Sequence, residues 1–343
     1  VTMRFRTEFA IAGALFGMFA SSVNAQTVAD FYRGKTITLL VATSSGNDYD
    51  YRARLVARHM TRHIPGEPII VVRNLPGGGG IVAANNLARL APKDGTVMLA
   101  SMQNVATIQA LGSPGIDFDA RSFNWLGNTS DSPNAIVTWH TTGVTNMEQA
   151  KQKDLIMGGQ MGTATLYYMT AMNTLLGTKF KIVTGYPGGN EVNLAMERGE
   201  VGGRGNSFAS WYSTKPDWVA GGKIRFLVQV GLKSDTRHLD VPLLVELAKN
   251  DFDRKVLEFI SADTANSRPI ATTPSVPNDR VHALRRAFDA TMKDSQFLAD
   301  AAKENMDISP SSGEDAQKVV ADILDSPPAV VARAKEIIEG TGR

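Results

Sequence analysis

The side chains able to do chemistry are few and dispersed. Of the five histidines (His59, His63, His140, His238 and His282), only His59 and His63 share a spacing, i and i+4, that can place two imidazoles on one helix face and hold a metal. They lack the intervening glutamate of an HExxH site, and Arg58 and Arg62 beside them repel a cation, so the segment reads as a solvated basic helix face. No serine stands in a GxSxG elbow, which removes the usual strand-to-helix nucleophile of acyl transfer. Asp48, Asp50, Asp94 and Glu191 show no paired spacing suited to acid–base work. The absence of cysteine excludes thiol nucleophiles, disulfides, cysteine-based metal sites and a lipid-anchoring cysteine. Neither a cofactor nor a metal is expected. A dispersed hydrolytic site would leave no such trace, so an exported hydrolase stands as the weakest alternative.

What recurs instead is a set of neutral, hydrogen-bonding turns. Thr43–Asp50, Ser101–Asn104, 158–165 (GGQMGTAT) and 185–190 (GYPGGN) each follow an apolar run. Three of them lead directly into a helical pattern. A helix N-terminus presents unpaired N–H groups and a partial positive charge, so an anion is its natural guest, and Ser/Thr hydroxyls add donors without adding charge. The same residues are also plain turn and cap formers. The turn Asn74-Leu75-Pro76-Gly77-Gly78-Gly79-Gly80 resembles a phosphate cradle, yet no GK[ST] follows and the pattern is not GxGxxG. Its glycines serve either a tight turn or a cleft lined with free N–H groups.

The elements that must position these turns alternate between strand and helix. Strands are predicted at 37–41, 68–72, 96–100, 135–139, 155–158, 180–184 and 224–230. Helices are predicted near 51–64, 81–90, 147–151, 166–176 and 191–198, the last with Asn190 as its N-cap. That alternation implies a parallel-rich α/β architecture, in which ligands collect outside the carboxyl ends of the strands. The end of the chain differs: 277–288, 295–305, 314–324 and 328–338 read as consecutive helices that either cover one domain or form a separate unit. Hydrophobic content of 43% suits a globular core, and a formal net charge of +2 with no Lys/Arg run argues against a nucleic-acid binder.

At the N-terminus, Arg4 and Arg6 precede an apolar run from Phe9 to Phe19 and the small residues of Ser21-Ser22-Val23-Asn24-Ala25. This is the pattern of a secretory signal, with cleavage expected after Ala25 and a periplasmic destination for the remainder.

The order of these motifs resembles that of the exported substrate-binding receptors of tripartite tricarboxylate transporters, the Bug family. Their PPGGxxDxxAR loop and helix are matched by Ser44-Ser45-Gly46-Asn47-Asp48-Tyr49-Asp50-Tyr51-Arg52-Ala53-Arg54, and their VxNxPGAGG by Val72-Arg73-Asn74-Leu75-Pro76-Gly77-Gly78-Gly79-Gly80. APDGYTLL appears as Ala91-Pro92-Lys93-Asp94-Gly95-Thr96-Val97-Met98, and SAGNGTSSH as 158–166 with Gly162-Thr163 kept. Tyr186-Pro187-Gly188-Gly189 and Ala195-Met196-Glu197-Arg198-Gly199-Glu200-Val201 echo YKGGAPALTALLGGQVD, and SPPAVVARAKEI resembles the last helix. The match runs in order through nearly the whole chain after residue 25.

The resemblance implies a type II periplasmic-binding fold, with two α/β lobes joined by a two-crossing hinge and a ligand cleft between them. Lobe 1 is expected to comprise 26–131 and 235–343, and lobe 2 to comprise 132–234. It implies that a small organic carboxylate is held by backbone amides and hydroxyls and delivered, by a monomer, to a membrane permease. Carried over by position, the ligand residues are Thr43, Ser44, Ser45, Gly46 and Asn47 on one lobe and Gly162, Thr163, Ala164 and Thr165 on the other. Ser101, Gln103, Gly188, Arg204 and Asn206 come from the remaining turns, while Asp50 braces the first loop.

The departures are Ser44-Ser45 for Pro-Pro, Asn47 for the second glycine, Leu166 for the loop histidine, and Arg204 where acidic residues are common. Arg204 is either a bidentate-capable cation in the cleft, which favours a di- or tricarboxylate or an aromatic acid, or a surface arginine paired with Glu197 or Glu200. Tyr49, Tyr167, Phe208 and Trp211 could form a stacking wall, or belong to the core. A periplasmic sensor module for a membrane histidine kinase would share the same fold.

Overall fold

A computed structural model describes residues 27–340; the expected signal segment and its cleavage point lie outside them. Eleven strands are found among the described residues: β1 (Thr36–Val41), β2 (Ile69–Asn74), β3 (Val97–Ala100), β4 (Asn124–Asn128), β5 (Asn134–Trp139), β6 (Leu155–Gly158), β7 (Phe180–Val183), β8 (Gly203–Ser207), β9 (Ile224–Val230), β10 (Pro269–Thr272) and β11 (Ser311–Ser312). They form two separate sheets, a six-stranded one in the order β11-β4-β10-β3-β1-β2 and a five-stranded one in the order β7-β6-β8-β5-β9. The chain passes from the first sheet to the second between β4 and β5, and returns between β9 and β10. This is the two-lobed α/β arrangement with two crossings.

Both sheets are mixed rather than parallel-rich. β1 pairs parallel with β2 and β3, but β10 runs antiparallel between β3 and β4. In the second sheet β5 lies antiparallel to both β8 and β9. Among the antiparallel strands β5 and β9 are apolar and expected from the sequence, whereas β8 carries little apolar signal. β8 reads Gly-Arg-Gly-Asn-Ser and became a strand because glycine was needed there. A Cβ at Gly203 would meet the Val137 carbonyl oxygen at 2.2 Å, and one at Gly205 would meet the Thr165 Cβ at 2.7 Å. Central strands that must let a neighbour approach this closely give up the side chains by which a strand is recognised.

The C-terminal helices cover the rest of the fold instead of forming their own unit. Helix Asn278–Lys293 packs on β4 and on helix Asp48–Met60, and helix Gly313–Leu324 packs on β4 and Val105–Ala110. Helix Pro328–Glu339 packs on Asp251–Ser261 and on Ala164–Ala171, which belongs to the second sheet's half. The His59/His63 face is a correction to the sequence reading: it is a polar seam, not a solvated face. His59 is buried, with Nε2 at 3.2 Å from the Asp300 carboxylate and its ring edge-on to Phe297. His63 Nε2 lies 2.9 Å from Asp294. These contacts dock helix Ser295–Lys303. Among the described residues no helix is long and apolar enough to cross a membrane.

Candidate functional site

The carboxyl end of β1 carries the first loop, and its conformation follows from local hydrogen bonds. Asn47 caps helix Asp48–Met60: its Oδ1 accepts the Asp50 N–H at 3.2 Å and the Thr43 hydroxyl at 3.1 Å, while its Nδ2 donates to the Ser44 carbonyl at 2.6 Å. Asp50 closes the loop from inside, accepting the Gly46 N–H at 3.0 Å and the Asn74 amide at 2.9 Å. Gly46 has φ +82°, a left-handed turn that a side chain would strain. On the opposite half, Thr163 precedes helix Ala164–Ala171, and its hydroxyl donates to the Gln160 carbonyl at 2.8 Å and meets the Thr165 hydroxyl at 3.1 Å. The Leu166 N–H is taken by the Thr163 carbonyl at 3.1 Å, so in the first turn the Ala164 and Thr165 N–H groups are left for whatever lies in front of the helix.

Between the halves is a cavity of about 120 Å³. By the same measure a water needs ~10–15 Å³, so a small organic molecule fits. Thr43, Ser44, Asn47, Gln103, Thr163, Ala164, Thr165, Gly188, Arg204 and Asn206 stand in its wall. Ser45, Gly46, Ser101 and Gly162 do not, because the loops turn them away. Helix Gly189–Glu197 opens beside the cavity with Gly188, not Asn190, as its N-cap. The Asn190 side chain instead reaches the other half, donating to the Gly46 carbonyl at 3.0 Å. The four-glycine turn is outside the wall. Gly79, at φ +64°, is where the halves meet backbone to backbone: a Cβ there would lie 2.1 Å from the Gly162 carbonyl oxygen. No metal-ligating cluster of histidine or carboxylate side chains occurs among the described residues.

Arg204 faces the cavity. Glu197 pairs with Lys215 and Glu200 with Arg198, leaving Arg204 without a carboxylate partner. Its Nε donates to the Gly205 carbonyl at 3.1 Å, and its Nη1 donates to the Gly189 carbonyl and to the Asn193 Oδ1. The guanidinium also lies 5.5 Å from the Trp211 ring. The bidentate fork is therefore spent on the protein, and Nη2 alone has no partner among the described residues. Burial lowers the Arg204 pKa to about 10, against the pull of Glu191, so it stays a cation at neutral pH.

Sequence reasoning missed the second arginine in the wall. Arg268 is fully buried and stacks on Tyr49, 4.1 Å from the ring. Its Nε donates to Asp48 at 2.5 Å, and its Nη2 donates to the hydroxyls of Ser207 and Ser210 at 2.7 and 2.9 Å, on the opposite half. Asp48 also accepts from Arg52 at 3.0 Å and from the Ser213 hydroxyl at 3.0 Å. Burial alone would raise the Asp48 carboxyl, but the two arginine charges and the bonds from Arg268 and Ser213 more than offset it and hold it well below the usual range. Asp48 is thus a committed ion-pair partner, not a free base. Nothing in the local pattern Ser-Arg-Pro marks Arg268 as buried, since its partners are about 60 and 220 residues away. Of the four aromatics, Tyr49 reaches the cavity, while Tyr167, Phe208 and Trp211 are core.

Two α/β halves that meet around a polar cavity, with two arginine side chains in its wall, have the architecture of two-lobed solute-binding proteins. The chain belongs to the family described as the tripartite tricarboxylate transporter family receptor, which it matches over residues 52–342. It is 25% identical over 292 residues, 83% of each chain, to the UPF0065 protein in the gbd 5' region of Cupriavidus necator. The structure is similar to the periplasmic binding protein BugD, with a TM-score of 0.69 at 19% identity, covering 91% of this chain and 99% of that one. It is also similar to Rpa4515 of R. palustris with adipate, with a TM-score of 0.66 at 20% identity, covering 90% and 97%.

Proposed function

We propose that this receptor captures a small organic carboxylate between its lobes in the periplasm and hands it, as a monomer, to the permease of a tripartite tricarboxylate transporter. The lobes divide at 131/132 and 234/235, the first 25 residues are removed on export, and no bond of the ligand is broken. The observation that carries the reading is Arg204, a cation in the cavity wall whose Nη2 has no partner among the described residues. A cation held in a cavity and short of counter-charge recruits an anion. The Ala164 and Thr165 N–H groups and the Thr165 hydroxyl, together with Ser44, Gly188 and Asn206, complete a neutral cradle around it. The adipate bound to one structural neighbour is a carboxylate of the same class.

A thermal-shift screen of mono-, di- and tricarboxylates and benzoate-type acids tests this. An acid at about 100 times its Kd stabilises the fold by about 2.7 kcal/mol. If no acid raises the melting temperature while an amine or a sugar does, the reading fails.

A further inference from the structure

Gln103 sits in the cavity wall, and the direction of its amide is fixed from behind. Its Nε2 donates to the Tyr168 hydroxyl oxygen at 3.0 Å and to Asp263 Oδ1 at 3.2 Å. The Tyr168 hydroxyl in turn donates to Asp263 Oδ1 at 2.8 Å, so every donor of this cluster converges on one carboxylate. Turning the Gln103 amide over would set its carbonyl oxygen against two acceptors. Its main chain is held as well, the Gln103 N–H donating to the Tyr49 hydroxyl at 3.3 Å, which itself donates to the Ser267 carbonyl. Asn134, another wall residue, aims its Nδ2 at the same Tyr168 oxygen, 3.5 Å away. With its amino group committed inward, Gln103 is left, among the described residues, with an Oε1 that has no protein partner in a side chain that lines the cavity.

We infer that Gln103 Oε1 is a specificity element that selects a hydroxylated carboxylate, with Asp263 and Tyr168 as the positioning residues that keep it an acceptor. This rests on the carboxylate reading above and adds to it. An acceptor in a half-dry wall demands a donor, and a carboxylate ligand has none at neutral pH unless it carries a hydroxyl or an amine. Of the charged groups in the same walls Arg268 is matched by Asp48, so the uncompensated charge is Arg204, which disfavours an ammonium and leaves the hydroxyl. A ligand without one strands Gln103 Oε1, the situation that gives polar sites their discrimination.

Asp263 makes the orientation proton-dependent. It is wholly buried, its Oδ2 has no partner, and burial pushes its pKa up to about 7 against the lowering bonds from Tyr168 and Gln103. Among the described residues the other titratable groups that feel its charge are Tyr49, Tyr167 and Tyr168, all neutral in this range and themselves raised by burial. Once protonated, Asp263 becomes a donor that Gln103 Oε1 can satisfy, which turns the amino group toward the cavity and weakens the preference, because an amino donor is satisfied by a carboxylate oxygen as well as by a hydroxyl.

The test is isothermal titration with hydroxy acids and their deoxy counterparts: lactate and propionate, malate and succinate, citrate and tricarballylate, mandelate and phenylacetate, with aspartate as the amino analogue. In the pair that binds, the hydroxy acid is expected about tenfold tighter at pH 8, within the range of one buried hydrogen bond. The ratio is expected to shrink as pH falls from 8 to 6 in the wild type, and to lose that pH dependence in Asp263→Asn. Gln103→Met brings the ratio to within about twofold because the hydroxy acid weakens more than its partner, and Tyr168→Phe gives a smaller change in the same direction. A wild-type ratio near one, with binding intact, overturns the inference and leaves carboxylate capture standing. Aspartate binding more tightly than malate overturns the hydroxyl choice, and a pH-independent wild-type ratio removes Asp263 from it. If no acid of any pair binds while another acid of the thermal-shift screen does, this inference is overturned and carboxylate capture stands; if no acid binds at all, both fall.

Discussion

Replacing Arg204 by methionine removes the one cation of the cavity that has a free donor, while keeping a side chain of similar length against Trp211. Three of the guanidinium contacts go to the Gly205 and Gly189 carbonyls and to Asn193, so the ligand competes only for Nη2. The loss is therefore one charge-assisted hydrogen bond, about 1.5–3 kcal/mol, rather than a bidentate pair. That corresponds to a Kd weakened by about 10- to 150-fold. The fold itself should change little. Arg204→Met relieves a desolvated cation but leaves three acceptors beside a cavity that water can enter, so opposing effects of about 1 kcal/mol each leave the ligand-free melting temperature within about 4 °C. Titration calorimetry with the best acid of the thermal-shift screen, on both proteins at pH 7, makes the comparison. Arg204 remains a cation throughout the range from pH 7 to 9, so wild-type affinity should be flat across it. An affinity within twofold of wild type refutes Arg204 as the anion partner.

Two further outcomes follow from the contacts between the halves. Asp48→Asn leaves Arg52 and Arg268 buried without their counter-charge and should cost about 3–5 kcal/mol in urea unfolding at pH 7. Because the Asp48 pKa is depressed in the folded protein, its contribution is present above the ordinary carboxyl value of ~3.9 and is lost as pH falls through the folded value. The variant should therefore lack part of the wild-type acid destabilisation, and equal urea midpoints at pH 7 would remove the ion pair from the stability argument. Gly79→Ala adds a Cβ that meets the Gly162 carbonyl oxygen at 2.1 Å across the halves. It should weaken ligand binding by more than about tenfold, a cost above the ~1–2 kcal/mol of left-handed alanine, and leave the liganded protein larger by small-angle scattering. Wild-type affinity in Gly79→Ala would mean that the halves need not approach this closely.

How much of this was legible in the sequence depends on how local the cause is. β1, β6 and β9 and the helices near the C-terminus follow from periodicity and caps carried within a few residues. The first loop was readable because Asn47 and Asp50 bond within four residues of themselves. β8 was not, because its glycines answer to Val137 and Thr165 in other elements.

The sequence alone determined the strand–helix alternation, because strand ends and helix starts are written in short-range pattern, and the order of its motifs determined the family and with it the two-lobed α/β class. Tertiary structure alone decided which polar groups remain unspent. Arg204 has one free nitrogen because Gly189, Asn193 and Gly205 take the others, and Gln103 shows its oxygen because Tyr168 and Asp263 take its nitrogen. Hydrogen-bonding capacity is finite at each atom. What is left over for a ligand can be counted only once all the partners, from distant parts of the chain, have been brought together.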